Sequence, residues 1–483
     1  MSRARPLSAA AVLFACALGG CNLAPTYQRP VAPVPAMFPA DAGGTAASPF
    51  SAGGTPLLAS RISWQAYFSD PVLRGLIGSA LEHNRDLAAA VYRVEQARAQ
   101  FRIQRSQRLP GLEAGASGQR LRTPLSAADD APRVTVDSLG LQVGIPSFEL
   151  DFWGRVANLD ESARRQFLAT QEARRAAELS LIANVAAAYY AVRASEEGIV
   201  LADRSLASRR ETLELAQLRM EAGLTSSVDF NQSYALVTQA ETQLAQLRRS
   251  GGQARELLQF LVGMPLPAEL PSGLPLDPQV QLATLDPGLP SGLLESRPDI
   301  RLAEHRLLAA NANVGAARAL YFPIIALTAT GGYASGELSG LVSDSNRVWS
   351  FGAGAVLPLL DWGARRARVQ VAGAERDERE VAYQSAVQNA FREVAGGLLA
   401  SEQNALQITA QRRAVEVQQA LVSTAHDRYD VGLSPYLEVL DAERNHFAAE
   451  QALLQVRAAA LQDAVNLYAA LGGGQDVPEP GDE

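Results

Sequence analysis

Apolar positions along the chain follow two periods. Phe447, Leu454, Leu461 and Tyr468 recur every seven residues, the spacing of a coiled-coil seam. Val237, Ala240, Leu244, Leu247, Gly251, Ala254, Leu258 and Leu261 carry the same three-and-four step earlier in the chain. Between Gly363 and about Arg428 there is no proline, and Ala, Arg, Glu, Gln and Val dominate. An unbroken helix there would be roughly 100 Å long at 1.5 Å per residue. It folds back at residues 428–435, where Gly432 suits the left-handed residue that ends a helix, Ser434 suits a cap, and Pro435 suits a first turn. A hairpin of that length exceeds a compact core and makes a rod. Elsewhere the period drops to two. Leu139, Leu141, Val143 and Ile145 alternate with Ser138, Gly140, Gln142 and Gly144, and Trp349, Phe351, Ala353, Ala355 and Leu357 share one face of residues 347–360. This is the apolar-out, polar-or-small-in pattern of an outer-membrane strand, and equally that of a half-buried soluble strand.

Both patterns occur twice. Arg219-Met220-Glu221-Ala222-Gly223-Leu224 reappears 209 residues later as residues 428–433, with Arg, Gly and Leu kept, and Trp153-Gly154 reappears as Trp362-Gly363. Leu261-Val262-Gly263 matches Leu471-Gly472-Gly473 within one residue. A fixed period of this kind signals an internal duplication. The first repeat is expected over 62–263, with strands at about 111–122 and 134–150 and long helices at about 154–221 and 227–262. The second is expected over 299–473, with strands at about 324–335 and 347–360 and helices at about 362–428 and 435–471. A proline-rich linker, 264–298, joins them, and 474–483 is a tail. Ahead of the strands, 64–83 reads as an amphipathic helix starting near Asp70-Pro71, and a second helix runs from Asp86 to about 108. In the second half a helix starts near Asp299 and ends at Tyr321-Phe322-Pro323.

The N-terminus adds an address. Arg3 and Arg5 precede an apolar run from Leu7 to Leu18, so 1–20 reads as a secretory signal. It ends in Leu18-Gly19-Gly20-Cys21, which resembles the lipobox at which bacterial lipoproteins are cleaved and acylated, making Cys21 the lipidation site. Residues 21–61, rich in Pro, Ala and Gly, read as a lipid-anchored extended tether. Cys16 and Cys21 are the sole cysteines, so the mature chain keeps no thiol for disulfides, zinc or catalysis. Asn22 follows the cysteine and favours the outer membrane. All 43 basic residues are arginine, and the net charge of −8 becomes −10 without Arg3 and Arg5, which argues against a nucleic-acid partner. No later stretch approaches the roughly 18 apolar residues of a membrane helix. A membrane crossing must therefore use strands. Four strands fall short of the about eight in the smallest bacterial barrels, and open edges are not tolerated in lipid, so a membrane reading requires several chains.

Several blocks resemble the TolC-like outer-membrane efflux factors, in particular the NodT/OprM-type lipoprotein branch. They are Cys21 to Pro30, Asn84-Arg85-Asp86-Leu87, Pro146 to Val156, Arg297-Pro298-Asp299-Ile300, Ala310 to Arg318, Leu360-Asp361-Trp362-Gly363 and Arg428 to Asp441. The resemblance covers essentially the whole chain. It implies a mainly α fold with a membrane β part, internally duplicated. Four strands per chain would contribute to a trimeric 12-stranded barrel, above a long periplasmic α-helical barrel and a mixed equatorial domain. It implies a homotrimer that docks to a periplasmic membrane-fusion adaptor and an inner-membrane RND-type pump and passively conducts drugs or other small molecules to the exterior. No cofactor is implied beyond diacylglycerol and N-acyl lipid on Cys21.

The resemblance also places a periplasmic gate at Tyr429, Leu437, Glu438 and Asp441, with Asp229 as the repeat equivalent of Glu438, and adaptor contacts at Gly223, Leu224, Gly432 and Leu433. Glu438 and Asp441 lie three apart on one helical face. A three-fold axis would make each a ring of like charge, which raises carboxylate pKa values and binds cations. Structural roles compete. Asp229 completes a capping box with Ser226, and Glu438 sits in a first turn where the macrodipole favours acids. Ser434 stands where some relatives carry a basic residue that ties the closed state. An enzyme is not indicated: His83, His305, His426 and His446 show no metal-ligand spacing, with His426 and His446 read as surface residues, and no nucleophile elbow, Walker loop or dinucleotide fingerprint is present. The alternatives are a channel for one-step (type I) protein secretion and a non-conducting coiled-coil envelope lipoprotein.

Overall fold

The computed structural model describes residues 22–35, 57–58, 62–124, 132–277, 282, 285–286 and 292–473. Cys21, the leader 1–20 and the tail 474–483 lie outside the described residues. In chain order the elements are β1 (Leu57–Leu58), α1 (Trp64–Tyr67), α2 (Pro71–His83), α3 (Arg85–Ser106), β2 (Glu113–Pro124), β3 (Arg133–Leu150), α4 (Arg155–Glu221) and α5 (Ser227–Val262). Then follow β4 (Leu285–Asp286), α6 (Leu293–Ser296), α7 (Pro298–Ala319), β5 (Ile324–Ser335), β6 (Arg347–Val356), α8 (Ala364–Asp430) and α9 (Tyr436–Ala470). The duplication is visible in the lengths: α4 and α8 have 67 residues each, α5 and α9 have 36 and 35. Positive-φ glycines recur in register, Gly154 with Gly363, Gly223 with Gly432, and Gly263 with Gly472. The contacts gather into two compact units, one of Met1–Val31, Val94–Thr170 and Leu302–Tyr383, the other of Ala32–Arg93, Gln171–Arg301 and Gln384–Glu483.

The first unit holds an antiparallel sheet in the order β2-β3-β5-β6. Directly opposed residues share a face. One face carries the rows Ala116, Leu141, Tyr333, Arg347 and Ala114, Val143, Gly331, Trp349. The other carries Ser117, Gln142, Thr330 and Ser350, with the Thr330 and Ser350 hydroxyls 2.7 Å apart. Leu141, Val143, Trp349 and Phe351 are all exposed. β6 ends at Val356 rather than at the expected 360, because residues 357–360 have no strand beside them in the single chain.

Residues 22–35 are no free tether. Arg29 pairs through both guanidinium edges with Glu304 on α7, at 2.8 and 2.9 Å, and Tyr27 donates to the same carboxylate at 3.1 Å. Burial, then the Glu304 charge, hold the Tyr27 phenol above its ordinary pKa, so it remains a donor. Asn311 donates to the Pro25 carbonyl at 2.8 Å, and a Cβ on Gly315 would lie 2.7 Å from the Ala24 nitrogen. Composition reads such a segment as a linker; the side chains that hold it come from α7 and from Asn158 on α4.

In the second unit the expected helix over 64–83 is two, α1 and α2, split at Asp70. Asp70 is fully buried and caps α2 through Val72 N at 2.8 Å. It also accepts from the Tyr189 hydroxyl at 2.7 Å and from Leu274 N at 3.0 Å. Nearby, Tyr67 stacks on Tyr468 with centroids 4.4 Å apart. Arg297, the buried arginine of the Arg-Pro-Asp-Ile block, binds Asp299, Glu393 and the Ala470 carbonyl at 2.7 to 2.9 Å. β1 and β4 pair in parallel, which ties residues 57–58 to the linker. Asp70→Ala removes a cap and leaves the Tyr189 hydroxyl without its acceptor, effects of about 1–3 kcal/mol each. Melting followed by far-UV circular dichroism is expected to show a lower midpoint for Asp70→Ala, with Asp70→Asn, which keeps an acceptor oxygen, losing less.

Candidate functional site at the helix tips

Both helical hairpins of the second unit turn on the same geometry. Gly223 (φ 71°) and Gly432 (φ 76°) end α4 and α8 in left-handed conformation. Leu224 N bonds the Arg219 carbonyl and Leu433 N the Arg428 carbonyl, each at 2.8 Å, while the glycine N–H groups bond Met220 and Tyr429. These are paired Schellman closures, which satisfy the last helix carbonyls. Leu224 and Leu433 are 78 % and 73 % exposed. Below the tips, Ala202, Leu206, Val237, Ala240, Leu244 and Phe447 form one core across both hairpins. The two repeats thus hold each other along the hairpins, below the charged tips.

The starts of α5 and α9 differ, and the difference decides what the acids do. Ser226 caps α5 in a reciprocal box with Asp229. Asp229 also accepts from Thr225 at 2.5 Å. These hydrogen bonds, Thr225 first and Ser226 next, hold the Asp229 carboxyl below its ordinary pKa. In the second repeat the cap is Pro435, not the expected Ser434, whose hydroxyl is buried without a partner. The repeat itself contained the answer, since Ser226 maps onto Pro435. Proline offers neither hydroxyl nor N–H, so no box can form there and Glu438 turns to Arg428, at 3.5 Å. Asp441 pairs with Arg444 at 3.1 Å. Within the chain, then, both Glu438 and Asp441 face arginines, which the spacing of the two acids alone did not indicate.

Tyr429 lies against Tyr436, centroids 4.8 Å apart, with the Arg219 guanidinium 5.1 Å from its ring. Tyr436 and Thr212 hydroxyls are 2.9 Å apart. Leu437 is exposed beside this cluster. Arg219, Thr212, Tyr436 and Arg444 were not singled out by sequence; Arg219 could have been, as the repeat equivalent of Arg428. His426 is 3.2 Å from Glu443, and His446, expected at the surface, is only partly exposed beside Glu450. Among the described residues no helix is long and apolar enough to cross a membrane.

The sequence pattern of the family described as "Outer membrane efflux protein" matches residues 76–264 and 289–473. This chain belongs to that family. It is 42 % identical, over 96 % of both chains, to the toluene efflux pump outer membrane protein TtgF of Pseudomonas putida. It is 38 % identical to the outer membrane protein OprJ of Pseudomonas aeruginosa, covering 96 % of this chain and 95 % of that one. The open state of the Neisseria gonorrhoeae MtrE outer membrane channel superimposes with a TM-score of 0.84 at 38 % identity, over 94 % of this chain and 98 % of that one. As a member of the outer membrane efflux proteins, the chain is an outer-membrane efflux component with a TolC-like fold, whose helices extend into the periplasm.

The Asp229 cap gives a pH dependence. A carboxyl whose folded pKa is depressed contributes stability above its unfolded value, about 3.9, and loses it as pH falls through the folded value. Hydrogen exchange read by mass spectrometry over the start of α5 is expected to be faster in Asp229→Ala than in the parent at neutral pH. The two should converge once the pH drops below the depressed pKa.

Proposed function

We propose that three copies of this chain form the outer-membrane channel of a tripartite efflux pump, conducting drugs or other small molecules passively from a periplasmic adaptor and an inner-membrane RND-type pump to the exterior. The observation that carries this reading is the open sheet. β2 and β6 both present an unpaired edge, and one face carries the small and apolar row Ala114, Val143, Gly331 and Trp349 beside Leu141 and Tyr333. Lipid does not tolerate free strand edges, so the sheet must be completed by other copies; three give twelve strands. The efflux role comes from the family and from relatives named as efflux pump outer membrane proteins.

Cys21 carries the lipid on this reading. Support comes from the docked arm: Asn22, the next residue, accepts from Asn158 Nδ2 at 3.0 Å, near the start of α4 and a few residues beyond the end of β3. An acyl chain starting there begins close to where the chain leaves the sheet. The exposed Leu224 and Leu433 tips, with Gly223 and Gly432 shaping them, are the adaptor contacts. Tyr429, Leu437, Glu438 and Asp441 form the constriction, while Asp229 serves as a cap.

Planar-bilayer recording of the mature protein is expected to give small, cation-preferring conductance. Removing Glu438 and Asp441 together (Glu438→Ala, Asp441→Ala) leaves Arg428 and Arg444 unopposed, so conductance is expected to rise and the preference for cations to fall or invert. Unchanged pores would remove the gate from the proposal and keep the channel. Folded oligomers without pores would remove the channel.

A further inference from the structure

The two tryptophans that repeat in sequence have different surroundings. Trp153 follows β3 and fills the notch where β3 meets β5. Its ring stacks on Phe322 with 4.6 Å between centroids, and its indole N–H donates to the Pro323 carbonyl at 2.9 Å. Trp362 follows β6 in the same way, yet it is 91 % exposed and holds φ at +53°. That is the left-handed region, strained for a bulky side chain and kept only where surroundings demand it. The corners differ by one residue: Asp151 reaches Trp153 through Phe152, whereas Asp361 runs straight into Trp362.

What Trp362 lacks is a partner, and the duplication names one. Phe322-Pro323 closes the stretch between α7 and β5; the corresponding Leu109-Pro110 closes that between α3 and β2. β2 and β6 are opposite edges of the sheet, with β3 and β5 between them. In a closed ring of copies, β6 of one meets β2 of the next.

The register follows from two anchors, Pro110 onto Pro323 and Leu150 onto Leu360. They carry the pair Glu113–Gly144 onto Ala326–Gly354, which is a pair in the structure. The same mapping carries Leu150–Ile325, paired within the chain, onto Leu360 opposite Leu112 of a second copy. Leu360 and Leu112 are each 72 % exposed. Gly144 and Gly354 agree. A Cβ on Gly144 would lie 2.3 Å from the Ala329 carbonyl oxygen of the neighbouring strand, whereas Gly354 has nothing within 4 Å. Gly354 stands where that neighbouring strand is missing from the single chain.

We infer that the corner after β6 is the contact to a second copy of this chain. Trp362 packs on Leu109 and donates its indole N–H to the Pro110 carbonyl of the next copy, and residues 357–360 extend β6 along the start of that copy's β2, with Leu360 opposite Leu112. This rests on the oligomeric barrel proposed above and fixes its register.

The test is disulfide trapping in the full-length protein carrying Leu112→Cys and Leu360→Cys together. Oxidation is expected to give covalent dimers and trimers on a non-reducing gel, with none from either single variant. The control pair Ala116→Cys with Leu360→Cys sits four residues further along β2, roughly 13 Å away, and is expected to give none. Trp362→Ala is expected to lower the temperature at which the detergent-solubilised oligomer dissociates, and Trp362→Phe, which keeps a ring without the N–H, to fall between. Cross-linking through the control pair instead would overturn the register. An oligomer intact by light scattering, with no cross-link in either pair, would overturn the contact. A monomeric chain would sink the barrel reading as well.

Discussion

Everything in the first unit is conditioned by the two free edges of one four-stranded sheet. In water an open edge is a liability that charged residues or bulges can manage; in hydrocarbon every unpaired N–H and C=O costs several kcal/mol. Here the charges on the edge strands sit towards their ends, at Glu113, Arg120 and Arg122 of β2 and Arg347 of β6. β2 is twelve residues long, β6 ten, and the face they share is apolar from Ala114 through Val143 to Trp349. A chain that stayed alone would expose both the edges and that face. Polar residues such as Gln142 and Thr330 line the other side, which is what an aqueous lumen requires. In the proposed barrel the single polypeptide is a fragment of a wall.

The duplication explains how one chain supplies such a fragment, and where the copies part company explains its specialisation. Matching glycines keep the backbone corners identical at Gly154 and Gly363, Gly223 and Gly432, and Gly263 and Gly472. Side chains then diverge on that common frame. Ser226 became a cap that consumes Asp229, while Pro435 leaves Glu438 to find Arg428. Trp153 is used inside the chain and Trp362 is not.

Much of this was legible in the sequence because it rests on period and punctuation. The heptads at Phe447, Leu461 and Tyr468 are buried, and alternation located strands that differ from the structure by a few residues at most. What escaped depends on partners distant in sequence. The arm at 22–35 looks like linker by composition, and residues far along the chain, Asn158, Glu304 and Asn311 among them, make it structure. Asp70 reads as an N-cap from its neighbours, but its bonds to Tyr189 and Leu274 carry no local signal. At the tips, charge spacing revealed two acids on one face and could not reveal that arginines answer them. Ser434 was a one-residue error that the repeat could have corrected.

Those arginines change how a gate would work. Three bare carboxylates drawn towards an axis would repel, by about 1 kcal/mol per pair at 4 Å in water and more where the dielectric falls. Closure would then need a cation or a proton. With Arg428 beside Glu438 and Arg444 beside Asp441, the charge approaching the axis in the proposed trimer is close to neutral, and the electrostatic opposition to closure largely disappears. Both pairs are half-exposed, so their own strength is modest and falls with salt. In the proposed gate, closure would then rest on packing, and the Tyr429, Arg219 and Tyr436 cluster is the packed element beside these pairs. Arg219 comes from the first repeat and the tyrosines from the second. Opening such a gate would therefore separate the two halves of the duplication at an aromatic contact.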